Sequence, residues 1–239
     1  MSQSVSAPAR RRPLTRDAVL RAAMDLADEE GLASVSMRRL AERLAVVPMA
    51  LYKHVADKED LVDGMVDVLL LDIPTPEPLP VEQWRPAMYE TLLATRFVVT
   101  AHPWARRALE TRTVRTPTVL AHMERVSQIL LRAGFSPDLT HHVMHLIGAR
   151  LWGISPELFT DPTGSPAQRR RTTGDPDASH YPGILSIAAD AQARRPDATG
   201  CDEDREFRFA VEVILEGVDR LHRTGWTSTG EDPDEVPGG

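Results

Sequence analysis

Two groups of side chains in this 239-residue chain have types and spacing that could do chemistry. The first is the histidine run His141, His142 and His145. His141 and His145 stand four apart, so on a helix they share one face, the spacing that zinc sites use. A metal enzyme also needs a third ligand and a general base. There is no HExxH sequence, and the carboxylates at hand are the scattered Asp138 and Glu157. Histidines on a helix face in a pocket or subunit interface are the more frequent outcome, so no catalytic residue, cofactor or metal is expected.

The second group is basic. Residues 34–58 hold Arg38, Arg39, Arg43, Lys53 and Lys58 against Glu42 and Asp57, a local charge of +3 in a chain of net charge −7. Residues 1–60 sum to +1 and the remainder to −8. A small basic segment on an acidic body suits a reader of a polyanion that avoids binding through its whole surface. A plain solvated helix face has the same charge count.

Helices must hold both groups. Thr15 can cap a first helix, in which Val19, Ala22, Ala23, Leu26 and Ala27 recur at helical spacing until Gly31. Ser36 can cap a second, with Leu40 and Leu44 on one face. Pro48 suits the first turn of a third, whose Leu51 and Val55 repeat that spacing. Asp57 can cap a fourth, with Leu61, Met65, Val68 and Leu69 on its buried side. Pro74, Pro76, Pro78 and Pro80 then end regular structure. Further helices are predicted over 81–101, 103–110, 116–133, 138–154, 182–194 and 203–223. No segment alternates at period two, so the chain reads as all-α.

The domain reading is a disordered basic leader over 1–13, a head over 14–73, a larger helical body over 81–225 and a disordered tail over 226–239. Residues 155–181 read as a long mobile loop. The lone Cys201 excludes an intramolecular disulfide and a cysteine zinc cluster. No run is long and apolar enough to span a bilayer, and the first thirty residues lack a signal-peptide core. A cytoplasmic protein with no membrane partner is expected.

Within the head, the second and third helices are joined by Ala45, Val46 and Val47, with small Ala41 where they cross. Leu40, Leu44, Val46, Leu51 and Val55 supply a shared core. This is the helix-turn-helix plan, whose second helix lies in the DNA major groove. A helical hairpin of this size is also an ordinary packing motif.

The residues are more specific than the plan. VPMALYKHVADKEDLVD resembles the recognition helix and following helix of the TetR family of bacterial transcription regulators, and GLASVSMRRLAERLAV resembles the same family's supporting turn and second helix. That resemblance covers 14–63. A looser one, to the tetracycline-repressor type of C-terminal domain, rests on Trp84, HPW at 102–104, AGFS at 133–136, Gly148 and FRFAVEVILEGVDRL at 207–221.

The resemblance implies roles residue by residue. Arg38 would reach a guanine edge, and Met37 would face the groove edge. Pro48, Met49 and Ala50 would face bases, reading shape and thymine methyls. Tyr52, Lys53, His54 and Lys58 would hold phosphates, which fix register without specifying sequence. The basic arm Arg10, Arg11 and Arg12 could add minor-groove or phosphate contacts; as a solvated leader it would add none. Two departures stand out. Ala45 replaces a glycine common at a left-handed turn, at a cost of about 1 kcal/mol, so a somewhat different turn is expected. Val47 replaces a usual Ser or Glu, removing a cap or phosphate contact.

For the body, the resemblance implies a pocket whose ligand moves paired heads out of register. Trp84, Met88, His102, Trp104, Met123, Met144, His145, Trp152 and Phe159 are suitable lining. The family's tetracycline repressors bind a magnesium–drug chelate through a histidine and a carboxylate. Glu157 stands near where that carboxylate would fall, but Ala108, Leu109 and Glu110 occupy the region expected to supply the histidine. A different, bulky apolar or aromatic effector is therefore expected. The helices over 138–154 and 203–223 are candidates for a homodimer interface, through Leu146, Phe207, Val211, Ile214, Gly217, Val218 and Leu221. The expectation is a homodimeric repressor released by its effector from a near-palindromic DNA operator. The alternatives are an effector-independent DNA-binding protein and a metal-dependent enzyme built on the three histidines.

Overall fold

The computed structural model describes residues 13–111, 115–152, 181–194 and 202–229, and among these every regular element is helical. Helix α1 is Arg16–Glu30, α2 Met37–Leu44, α3 Pro48–Leu51 and α4 Lys58–Leu71. Beyond the proline-rich segment come α5 (Trp84–Ala101), α6 (Ala105–Thr111), α7 (Pro117–Arg132) and α8 (Pro137–Trp152). Then follow α9 (Pro182–Arg194) and α10 (Glu203–Arg223).

Local chemistry sets the starts. Thr15 Oγ1 accepts from the Ala18 amide at 3.2 Å, Ser36 Oγ from Arg39 at 3.3 Å and Asp57 Oδ1 from Asp60 at 2.8 Å. Each side chain satisfies an amide that the helix leaves unpaired. Thr116 and Asp202 do the same for α7 and α10. The helix predicted over 81–101 is instead a 3-10 turn at Val81–Gln83 followed by α5. The cause is Pro86, which lacks an amide proton and is tolerated only in a first turn, where a start at Trp84 puts it.

Two cores organise the packing. The first joins α1, α2, α3 and α4 through Val19, Leu26, Leu40, Leu51, Val55, Leu61 and Met65, among others, and does not close on itself. Val98 of α5, and Trp104, Ala105 and Ala108 at α6, complete it. The head is thus seated on the body through shared apolar surface. The second core lies among α5, α7, α8 and α10 and holds Trp84, Met88, Leu92, Leu130, Phe135, Val143 and Phe207.

Several expectations need correcting. The apolar stripe of α10 faces inward: Phe207, Val211 and Val218 are buried in the protomer's own core, and Ile214 and Leu221 pack against it. α5 and α8 pack against this face, and Ile214 and Leu221 remain half-buried. The outward side of α10 carries Phe209 and Val213 instead, and Leu146 is exposed on α8. A Cβ built on Gly217 would meet nothing within 4 Å, so that glycine borders open space on the protomer. The segment expected to begin a disordered tail at residue 226 is held as far as Ser228. Trp226 packs on the second core, and the Ser228 amide donates to Asp138 Oδ2 at 2.7 Å. The basic leader through residue 12 and almost all of the loop over 155–181 lie outside the described residues.

Candidate nucleic-acid interface

The interface is built from α2 and α3. Leu40 and Ala41 on one side, and Leu51 and Val55 on the other, are all buried, which sets the crossing of the two helices. Ala45 takes φ 53° and ψ 44°, the left-handed conformation that favours glycine. The next amide, Val46, closes the helix end on the Ala41 carbonyl at 3.0 Å. The expected change of turn therefore does not occur; alanine accepts the strained geometry so that the turn can keep it.

Helix α3 is a single turn, shorter than the 48–55 spacing suggested, and Tyr52, Lys53 and His54 follow as a turn. The Val55 amide still reaches the Leu51 carbonyl at 3.0 Å. Two apolar side chains at its start point into water, Val47 at 68% and Met49 at 71% exposure, and Pro48, Tyr52 and Lys53 are exposed beside them. Exposed apolar groups rimmed by polar ones mark a surface that meets something. Arg38 is exposed and loosely paired with Glu42 at 3.5 Å, and Lys58 is exposed at the start of α4. Ala50 and His54 are half-buried. Met37, expected at the groove edge, is half-buried and packs partly against the head core.

The basic count of the segment overstates its outward charge. Arg39 pairs with Glu30 at 2.5 Å and Arg43 with Glu29 at 2.6 Å, tying α2 to α1. The Arg43 hydrogen bond holds the Glu29 carboxyl below its ordinary range. Arg38, Lys53 and Lys58 carry the outward charge.

A further set of residues supports the site without having been flagged by the sequence. Arg16 donates to the His54 carbonyl at 2.5 Å and grips Asp60 at 2.7 and 3.1 Å. The Ala56 amide donates to the same Asp60 carboxylate at 2.8 Å. The Arg16 hydrogen bond pulls the Asp60 carboxyl below its usual range despite partial burial. No local pattern announces a pair 44 positions apart.

The body residues expected to form one pocket fall in different places. Trp84 and Met88 sit in the second core, with Trp84 edge-on to Phe135 at 4.8 Å. Trp104 belongs to the first core, and its buried Nε1 has no hydrogen-bond partner. His102 Nδ1 meets Asp28 at 2.9 Å. Met123 and His145 are exposed and Met144 is half-buried. The Trp152 side chain, Glu157 and Phe159 lie outside the described residues. A narrow crevice, too tight to admit even a water molecule, is lined by Leu92, Ile147, Arg150, Leu151, Phe207, Val211 and Ile214. Arg150 covers the Phe207 ring at 5.2 Å. Three residues expected at a dimer interface thus line a crevice inside the protomer.

The histidines share the outer face of α8, with ring centroids 4.6 Å apart for His141–His145 and 5.2 Å for His141–His142. Asp138 is engaged by Ser228, whose amide and hydroxyl hold its carboxyl low. Among the described residues no group of three or more His, Cys, Asp or Glu side chains is arranged to hold a metal ion. No described helix is long and apolar enough to cross a membrane.

A buried hairpin that turns a short helix outward beside exposed basic groups, attached to a larger helical body, defines the helix-turn-helix class of DNA-binding regulators. Comparison with known proteins narrows the class. Residues 19–65 match the family described as bacterial regulatory proteins, tetR family, and residues 76–221 match the tetracyclin repressor-like C-terminal domain. The chain belongs to the tetR family of transcription regulators.

Among its relatives, the HTH-type transcriptional repressor DrrR1 of Streptomyces coeruleorubidus is 28% identical over 217 residues, 87% of this chain and 78% of that one. The tetracycline repressor protein class G of Vibrio anguillarum is 30% identical over 209 residues, 87% and 95% of the two chains. Apo ActR of Streptomyces coelicolor superposes with a TM-score of 0.69 at 26% identity, covering 90% of this chain and all of that one. ActR in complex with actinorhodin superposes with a TM-score of 0.66 at 27% identity, covering 87% and 98%.

Proposed function

We propose that the protein is a cytoplasmic homodimeric repressor that binds a near-palindromic operator and leaves it when a small apolar or aromatic effector occupies the body. The observation that carries this reading is the outward turn of α3. Leu51 and Val55 anchor it from beneath, while Pro48, Met49, Tyr52 and Lys53 stand free of the head core. Pro48, Met49 and Ala50 offer no polar side chain, so this end of the helix reads shape and thymine methyls. Arg38 supplies the guanidinium for a guanine, and Tyr52, Lys53, His54 and Lys58 meet phosphates.

Two heads are needed to read two half-sites. The exposed Leu146, Phe209 and Val213 on α8 and α10 give a partner an apolar surface to cover. DrrR1 is named a transcriptional repressor, and ActR has been solved with actinorhodin, which supports both the sign of regulation and response to a small molecule. The effector acts by binding more tightly to the arrangement of heads that misfits adjacent grooves; equal affinity for both arrangements would shift nothing. The protein performs no catalysis in this reading.

The test is fluorescence anisotropy with duplex DNA from upstream of the protein's own gene, at two salt concentrations. Saturable, salt-sensitive binding that Tyr52→Ala and Lys53→Ala both weaken is expected. Affinity no higher than for random DNA, and insensitive to either substitution, overturns the reading of α3.

A further inference from the structure

Helix α3 cannot hold its own orientation. A single turn of four residues lies far below the length at which a helix is stable alone. Its leading end is fixed by the left-handed turn at Ala45, and its underside by Leu51 and Val55. Its trailing end runs into the turn at Tyr52, Lys53 and His54 and then into Ala56, which is exposed.

Two backbone groups in that trailing stretch are captured by one ion pair. The Arg16 guanidinium donates Nη1 to the His54 carbonyl, 2.5 Å away, and its two terminal nitrogens meet both oxygens of Asp60. Asp60 in turn accepts the Ala56 amide at 2.8 Å. Asp60 stands in the first turn of α4, where the Asp57 cap fixes its backbone. Arg16 is the first residue of α1, directly after the Thr15 cap. A planar guanidinium with several fixed donors can serve a carbonyl and a carboxylate together, which a lysine ammonium does with far less angular control. Gly64, one turn beyond Asp60 on α4, keeps the space open: a Cβ there would lie 3.1 Å from Arg16 Nη2 and 2.6 Å from Leu20 Cδ2.

We propose that Arg16 and Asp60 are positioning residues for DNA recognition, setting the angle at which α3 meets the groove without touching DNA themselves. The inference rests on the reading of α3 as the DNA-facing element. It assigns to the start of α1 a share in operator discrimination: an α3 that can tilt still meets phosphates, but it loses the register that separates one base sequence from another.

The experiment uses the full chain and a duplex that the wild-type protein selects from a random-sequence library. Anisotropy is read at two salt concentrations, against that duplex and a scrambled one, at a temperature where circular dichroism shows every variant folded. The variants are Arg16→Ala, Arg16→Lys, Asp60→Asn and the Arg16→Ala/Asp60→Asn pair, with Tyr52→Ala and Lys53→Ala as references. The expected loss of affinity for the selected duplex is about tenfold for Arg16→Ala and for Asp60→Asn, with the double variant no worse than either single one. The preference over scrambled DNA falls, and the slope of log affinity against log salt stays that of the wild type. Arg16→Lys recovers thermal stability but not the preference.

A slope reduced by about one in Arg16→Ala makes Arg16 a direct phosphate ligand and overturns the proposal. A lower melting temperature with unchanged affinity and preference overturns it as well, leaving fold support alone. If Tyr52→Ala and Lys53→Ala weaken binding while Arg16→Ala does not, only the positioning role fails. If neither reference weakens binding, the reading of α3 fails and takes the positioning role with it.

Discussion

His102, at the end of α5, holds the Asp28 carboxylate of α1 at 2.9 Å and leans on Trp104 with ring centroids 5.7 Å apart. Body and head are therefore joined by a polar contact beside the apolar seam of Val98, Trp104, Ala105 and Ala108. Thr116 Oγ1 makes a second link, donating to Asp67 Oδ1 of α4. Breaking the first link with Asp28→Asn or His102→Ala is expected to cost about 1 kcal/mol, because both partners are partly solvated. Urea unfolding followed by tryptophan fluorescence measures it. A loss beyond the noise that is absent in an Asp25→Asn control assigns the effect to the contact.

The left-handed Ala45 leads to a second expectation. Glycine at this position removes a steric penalty of about 1 kcal/mol, partly offset by the greater freedom of the unfolded chain. Ala45→Gly is expected to raise the urea midpoint slightly and to leave DNA affinity as it is, since the turn already has glycine-like geometry at φ 53°. A lower midpoint would mean that the alanine methyl makes packing contacts that outweigh the strain.

Gly64 supplies the opposite case. A methyl group there overlaps Leu20, which is buried between α1 and α4 and has little room to turn away. Gly64→Ala is expected to destabilise the head by about 1–3 kcal/mol, the range typical of overpacking. It should also disturb Arg16, so its melting curve and its DNA affinity fall together. A neutral melting curve would show that Leu20 finds another rotamer.

What the sequence made legible divides along the range of the interactions. The caps at Thr15, Ser36 and Asp57, and the buried faces of α1 and α4, were readable because each depends on residues within one or two turns. The spacing of the hairpin and the wording of its residues sufficed for the family. The apolar stripe of α10 was equally visible, but periodicity reports that a face is covered and not by what; the cover proved to be α5 and α8 of the same protomer. The residues proposed for the pocket divide for the same reason. Trp84 and Trp104 belong to different cores, which periodicity alone does not distinguish. The basic count of 34–58 could not foresee that Arg39 and Arg43 spend their charge on Glu30 and Glu29. Arg16 and Asp60 were invisible because their meeting is purely tertiary.

His122 on α7 ties stability to pH. Burial, with the charge of Arg125 adding to it, pushes the imidazole down from 6.5 to about 4. The hydrogen-bond geometry agrees: Arg125 Nη2 lies 3.1 Å from His122 Nδ1, and a guanidinium can only donate, so Nδ1 must be the unprotonated nitrogen. In the unfolded chain the ring takes up its proton near 6.5, while in the folded chain it resists until about 4. The unfolded state therefore binds more protons between these values. The stability contributed by the neutral ring is complete above 6.5 and drains away as the pH falls towards 4. For a half-buried ring the loss is on the order of 2 kcal/mol. His122→Gln keeps a neutral acceptor for Arg125 and cannot titrate, so its unfolding free energy should change less than the wild type's between pH 7 and pH 4.5. The two are compared by urea denaturation at matched ionic strength. Parallel losses in both proteins would assign the acid sensitivity to other groups, but not to the Asp60–Arg16 pair, whose stabilisation is complete above the unfolded carboxyl value near 4 and is lost only below it.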